Sequence, residues 1–188
     1  MVQVYDGFLE DDEMNDVLHI MTSDQFPWYI NLTSNPDLFE KDGDEHTYEA
    51  FQLTHVFVRN DVENSGFARI AYRLLERFSQ KSGIDISKLL RVKANLQYKR
   101  TDESGQYNTP HVDSMVRESK VLIYYVDDSD GDTFIFDRVL GDGQKHYRVT
   151  ERVAPKKGRF VLFDNERYHA GTNPRVADKR IVINFNFL

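Results

Sequence analysis

The chain has 188 residues, a formal net charge of −7, 40% hydrophobic content, 13 Phe and 10 Tyr, but no Cys. That length suits one globular domain with a sizeable core. The missing thiols exclude disulfides, zinc ribbons and cysteine nucleophiles, and the acidic balance disfavours non-specific attraction to nucleic-acid backbones.

The first residues are acidic from Asp6 onward, with no cationic and apolar leader pattern, and no apolar run reaches bilayer length. The expectation is a soluble, cytoplasmic domain. Met14, Val17, Leu18 and Met21 recur at helical spacing and predict a helix over 10–22. Stretches 28–32 and 50–58 read as strands, separated by a polar, acidic segment, 34–49, of the length that binding loops and lids use. Phe67, Ile70, Ala71, Leu74, Leu75 and Phe78 form a second helical stripe ending near Gly83.

From Arg91 the texture changes to short strands between turn residues. Val92, Ala94, Leu96 and Tyr98 alternate with Arg91, Lys93, Asn95, Gln97 and Lys99, which predicts a strand with one buried face. Further strands are expected around His111 and over 120–126, 133–136, 146–153, 159–163, 168–171 and 180–187. No helical pattern interrupts this half. The expected fold is mainly β with flanking helices and a double-stranded β-helix (jelly-roll, cupin-like) core. In it, 1–90 form a helix and strand scaffold and 91–188 the jelly roll of a single domain.

In His111-Val112-Asp113, residues i and i+2 of a strand would project to one face and could reach one metal. His169 follows 58 positions later, near the end of another expected strand. Two imidazoles and a carboxylate suit non-haem iron(II) and leave positions open for other ligands. An H-x-D motif is a weak signal by itself, so the strand opened by Arg180 matters. Period 2 puts Arg180, Val182, Asn184 and Asn186 on one face of it. That face is either exposed to solvent or lines a cavity in which the guanidinium pairs with a ligand carboxylate.

The stretch from Tyr98 to Phe187 resembles the catalytic core of the prolyl 4-hydroxylase-like branch of the Fe(II)/2-oxoglutarate-dependent oxygenases. The resemblance is carried, in order, by Tyr98, His111-Val112-Asp113, Ile123-Tyr124-Tyr125-Val126, Gly131-Asp132-Thr133-Phe134, Pro155-Lys156-Lys157-Gly158, Phe163-Asp164, His169 and Arg180. It implies that His111, Asp113 and His169 bind Fe(II) and that Arg180 and Tyr125 hold the distal carboxylate of 2-oxoglutarate. Tyr98 would sit beside the cosubstrate, Ile123 against its methylenes, and Asn184 and Asn186 would line the same pocket. The implied activity is hydroxylation of a prolyl residue or another peptide or small-molecule C–H, using O2, with release of succinate and CO2 and with ascorbate as an accessory. Asp130 departs from the family, which commonly has a glycine there. Retention of Asp113 argues against the halogenating variants. The nucleic-acid demethylating branch is disfavoured because its Asn-x-Tyr is replaced by Asn95-Leu96-Gln97-Tyr98.

Two alternatives stay open at the level of sequence. A cupin-like metal-dependent isomerase or hydrolase would not need Arg180. A non-catalytic jelly-roll binding module predicts an exposed Arg180 face. His19, His55, His46 and His146 read as packed or surface residues, and Arg175 as a rim contact.

Overall fold

The computed structural model describes residues 1–31, 47, 48, 50–101, 106–143 and 146–188. Helix α1 (Asp11–Thr22) buries Val17 and Met21, and Glu13 reaches back to accept the Glu10 N–H at 3.2 Å. Helix α2 (Ala68–Ser82) buries the expected stripe and ends at Gly83, whose φ of 72° is the left-handed conformation that glycine adopts without steric cost. Arg77 of α2 donates to Glu13 of α1 at 2.8 Å and ties the helices together.

The strands are β1 (Gln3–Tyr5), β2 (Tyr29–Asn31), β3 (Thr47–Tyr48), β4 (Gln52–Arg59), β5 (Val62–Glu63), β6 (Leu89–Tyr98) and β7 (Tyr107–Asn108). In the C-terminal half follow β8 (Lys120–Tyr125), β9 (Thr133–Val139), β10 (Val149–Val153), β11 (Phe160–Asp164), β12 (Arg167–Gly171) and β13 (Lys179–Phe187). The large sheet has the order β1-β11-β8-β13-β6-β4-β2, with β5 paired to β4; the small sheet has the order β10-β9-β12. Crossing between sheets along the chain, with antiparallel pairing in both, gives the jelly roll expected from the sequence.

The large sheet is covered on both faces. Val92, Ala94, Leu96, Ile181, Ile183 and Phe185 pack with α1 and α2 in one core. Val121, Ile123, Tyr125, Val161, Phe163 and Val182 point the other way and meet Ile135 and Val153 of the small sheet. The inner layer is apolar on the β8–β11 side. On the β6–β13 side it is polar, with Asn95, Gln97, Arg180, Asn184 and Asn186 all buried. A pocket forms where that polar half faces the small sheet.

Three expectations change. His111 lies on no strand; it makes one isolated bridge to His169, which adds a single residue to the small sheet. The strand expected from 146 starts at Val149, and that expected from 50 starts at Gln52. Of segment 34–49, only Thr47 and Tyr48 are described; they form β3, which runs parallel to β7. The rest of that segment lies outside the described residues. Among the described residues, no helix is long and apolar enough to cross a membrane.

Candidate active site

His169 sits on β12, and its backbone exchanges both hydrogen bonds with His111, His111 N–H to His169 O at 3.0 Å and His169 N–H to His111 O at 2.9 Å. This pairing brings the imidazoles together, tilted by 49° with centroids 4.8 Å apart. The turn after His111 carries Asp113 to the same point. It is pinned by Asn165, which is fully buried, accepts the Ser114 N–H at 3.1 Å and donates to Ser114 O at 2.7 Å. Asp113 Oδ1 lies 3.8 Å from His111 Nε2, and Oδ2 lies 3.7 Å from His169 Nε2. One donor atom from each of the three residues falls within 4.8 Å of the others.

The ring tautomers follow from the partners. His111 Nδ1 lies 3.1 Å from Thr109 O and His169 Nδ1 lies 3.3 Å from Arg167 O. A carbonyl can only accept, so both Nδ1 atoms carry the proton and both Nε2 lone pairs face the cluster. His169 Nε2 is buried and has no hydrogen-bond partner among the described residues. Such an atom is costly unless something binds it, and a cation held by the three donors satisfies it. Burial, reinforced by His169, pushes the His111 pKa down to about 4. Burial alone would push the Asp113 carboxyl up. The Arg91 guanidinium, the two imidazoles and the Asn186 amide outweigh it and hold the group well below the usual carboxylate range. The trio is thus two neutral imidazoles and a carboxylate, the donor set that fits iron(II).

Asp113 has two supports. Arg91 Nη2 donates to Oδ1 at 2.9 Å, and Asn186 Nδ2 donates to Oδ2 at 3.0 Å. Both come from the inner face of the large sheet, where Arg91 and Asn186 are register partners.

Beside the cluster lies a pocket open to solvent; Ile123, Thr133, Gly171, Arg180 and Asn184 are among its walls. Arg180 is 4% exposed, which removes the solvent-exposed alternative for its face. Its Nε donates to Gly131 O at 2.6 Å, Nη1 to Gln97 Oε1 at 2.9 Å and Nη2 to Thr133 Oγ1 at 2.8 Å. Tyr125 also donates to Thr133 Oγ1, at 2.6 Å. With both lone pairs of Thr133 occupied, its own hydroxyl proton is turned away from these donors and is available to a ligand in the pocket.

The comparisons with known proteins agree with this geometry. No curated protein sequence matches the chain. The family model described as 2OG-Fe(II) oxygenase superfamily matches residues 96–188, which contain every strand bearing the cluster and Arg180. The chain belongs to the 2OG-Fe(II) oxygenase superfamily.

Solved structures extend the likeness over the N-terminal half. An oxidoreductase of the 2OG-Fe(II) oxygenase family from Burkholderia pseudomallei is 14% identical with a TM-score of 0.65, over 99% of this chain and 84% of that one. A prolyl-4-hydroxylase from Pseudomonas putida is also 14% identical, with a TM-score of 0.55 over 99% and 91%. The non-haem α-ketoglutarate-dependent epimerase SnoN of nogalamycin biosynthesis is 12% identical, with a TM-score of 0.59 over 100% and 77%. As a 2OG-Fe(II) oxygenase, the protein is a dioxygenase enzyme that uses Fe(II), 2-oxoglutarate and O2.

Within this oxygenase the structure brings together His111, Asp113, His169, Arg180, Ile123 and Asn184 at one pocket. Three other expected residues are elsewhere. Tyr98 is 48% exposed and falls outside the pocket wall, because β6 turns Gln97 inward and Tyr98 outward. Tyr125 is fully buried behind Thr133 and meets the pocket through it. Asn186 lies under Asp113 and not along the pocket wall. Sequence reasoning missed Arg91, Lys93, Asn95, Gln97 and Gln52, all on the polar sides of β6 and β4. Their alternation was legible, but a polar face was read as open to water.

Asp130 also gains an explanation. Its carboxylate accepts the N–H groups of Arg175, Val176 and Ala177, each at 2.9 Å, and so folds the turn that leads into β13. His55 is a satisfied core histidine, with Nδ1 2.8 Å from Pro27 O and Nε2 2.7 Å from Ser65 Oγ.

Proposed function

We propose that the oxygenase is a hydroxylase in which His111, Asp113 and His169 hold the iron and Arg180, with Thr133, holds the distal carboxylate of 2-oxoglutarate. The C–H oxidised belongs to a prolyl residue or to another peptide or small molecule. One observation supports this above others: the three donors, including the unpartnered Nε2 of His169, lie at one end of a pocket whose other end is a buried arginine.

The iron and 2-oxoglutarate, with O2, supply the oxidising chemistry and leave succinate and CO2. The chain's residues supply position and dryness. Arg91 and Asn186 fix the rotamer of Asp113 and keep it ionised. The Thr109 and Arg167 carbonyls hold the imidazole tautomers. Gly131 O, Gln97 and Thr133 lock the Arg180 fork, so a carboxylate meets a cation that need not reorganise. Ile123 offers an apolar wall to methylenes. Gly131 and Gly171 are needed because Arg180 passes over them. A Cβ on Gly131 would lie 2.8 Å from Arg180 Cδ, and one on Gly171 would lie 3.1 Å from Nη1. Of the two segments expected to close over substrate, 34–49 falls almost wholly outside the described residues, whereas in 99–110 only 102–105 do and Tyr107–Asn108 form β7.

The test is anaerobic loading with iron(II) and 2-oxoglutarate, followed by the weak visible charge-transfer band of the chelate. Wild type shows the band, His169→Ala loses it with its metal, and Arg180→Ala needs far more 2-oxoglutarate to form it. Iron binding without any band would favour the isomerase or hydrolase alternative.

A further inference from the structure

Arg180 has a counterpart at the metal end of the pocket. Lys93 lies on the same inner face of β6, four residues before Gln97 and opposite Asn184 of β13. Its side chain lines the pocket beside the cluster. Lys93 makes no hydrogen bond or ion pair among the described residues, and the same is true of the Asn95 and Asn184 side chains. The Oδ1 atoms of both asparagines are buried and unpartnered. A cation, two amide donors and two orphan acceptors therefore share one wall, and buried groups left without a protein partner are completed by a ligand or by ordered water.

Its chemistry can be read from the groups. An ammonium and amide N–H groups bind a carboxylate; the buried Oδ1 atoms need a donor on the same ligand. 2-Oxoglutarate has carboxylates and a ketone but no N–H or O–H to give, so it does not complete the set. The surface beyond points the same way. Arg59 of β4 stands opposite Arg91 in register; Arg91 is matched by Asp113, and Arg59 is exposed. Both border a second cavity on the outer side of Asp113, next to Val116, which is 41% exposed. In a chain of net charge −7 this row of Arg59, Arg91 and Lys93 is a local reversal of sign, leading away from Arg180.

We propose that Lys93, Asn95 and Asn184 form the subsite for the molecule being oxidised, and that this molecule carries a carboxylate with a hydrogen-bond donor beside it, as α-amino and α-hydroxy acids do. The proposal rests on the oxygenase reading and narrows its substrate.

The probes are the free L-amino acids, L-lactate and L-malate, each paired with its primary amide. They are added to protein loaded with Mn(II) and saturating 2-oxoglutarate, and unfolding temperature is followed. Successful acids are then tested on the iron protein for faster succinate formation. At least one acid is expected to stabilise wild type while its amide does not, and Lys93→Met should weaken that acid by about ten-fold or more. Asn184→Ala should weaken it as well, while the anaerobic charge-transfer band persists in Lys93→Met. Three results overturn the proposal: no acid binds although the band forms, acid and amide bind alike, or Lys93→Met lowers 2-oxoglutarate affinity instead. The last would assign Lys93 to the cosubstrate. Absence of the band in wild type would instead defeat the oxygenase reading underneath.

Discussion

At the scale of single residues, what distinguishes this site is how fully each functional group is held by another. Asp113 is gripped at both oxygens, so the position it offers as a proposed metal ligand depends on Arg91 as much as on itself. Arg91→Met is expected to leave the fold intact and to weaken metal binding by about 10–100-fold, the usual effect of losing a partner that orients a ligand. Anaerobic Mn(II) titration measures it, and unchanged affinity would remove Arg91 from the site. Asp130→Gly restores the family's commoner residue but strips three backbone N–H groups of their acceptor. It should cost about 1–3 kcal/mol in urea unfolding; a neutral result would mean that water replaces the carboxylate without loss. The triad and Arg180 were legible because their chemistry has few alternatives. The role of Asp130 was not, because its partners lie 45–47 positions away and are backbone groups that carry no signature.

The strands show why a period-2 pattern can be read correctly and still mislead. On β6 the alternation of Val92, Ala94 and Leu96 with Arg91, Lys93, Asn95 and Gln97 gives the pleat, and helices cover the apolar face as expected. The polar face is covered as well, by the small sheet, with Arg91 and Lys93 half-buried, and becomes the pocket. Sequence periodicity reports which side chains share a face, not what that face meets. Gly131, just before β9, and Gly171 of β12 carry the complementary requirement for space. Gly131→Ala would put a Cβ 2.6 Å from Thr172 O and 2.8 Å from Arg180 Cδ, so either the backbone or the arginine must move. We expect a loss of about 1–3 kcal/mol together with a raised KM for 2-oxoglutarate. A stability loss with unchanged KM would show that the turn, not Arg180, absorbs the strain.

For the whole molecule, burying titratable groups between two sheets ties stability to pH in two windows. The His111 pKa is about 4 in the folded chain against an ordinary 6.5. The unfolded chain therefore takes up a proton first, and stability held above pH 6.5 is lost as pH falls toward 4. Burial, with Arg91 beside it, pushes Lys93 down to about 8 from an ordinary 10.5. There the unfolded chain again binds more protons, so stability rises as pH climbs from 8 to 10.5. Urea midpoints of metal-free protein should trace both slopes. Lys93→Met should abolish the alkaline one and raise stability at pH 7 by about 1–2 kcal/mol; an alkaline slope that persists in the variant would place its origin elsewhere. By itself the sequence determined the helices, most strands, the three metal-binding candidates and Arg180 as a candidate carboxylate partner, because periodicity and scarce chemistry are local properties; that Arg180 is buried was decided by the tertiary structure. Only the tertiary structure decided that Tyr98 faces out, that Asn186 and Arg91 hold Asp113, and that Lys93 stands beside the cluster unpaired among the described residues. Those facts depend on which sheet closes over which face, and that closure is set by contacts between strands far apart in the chain.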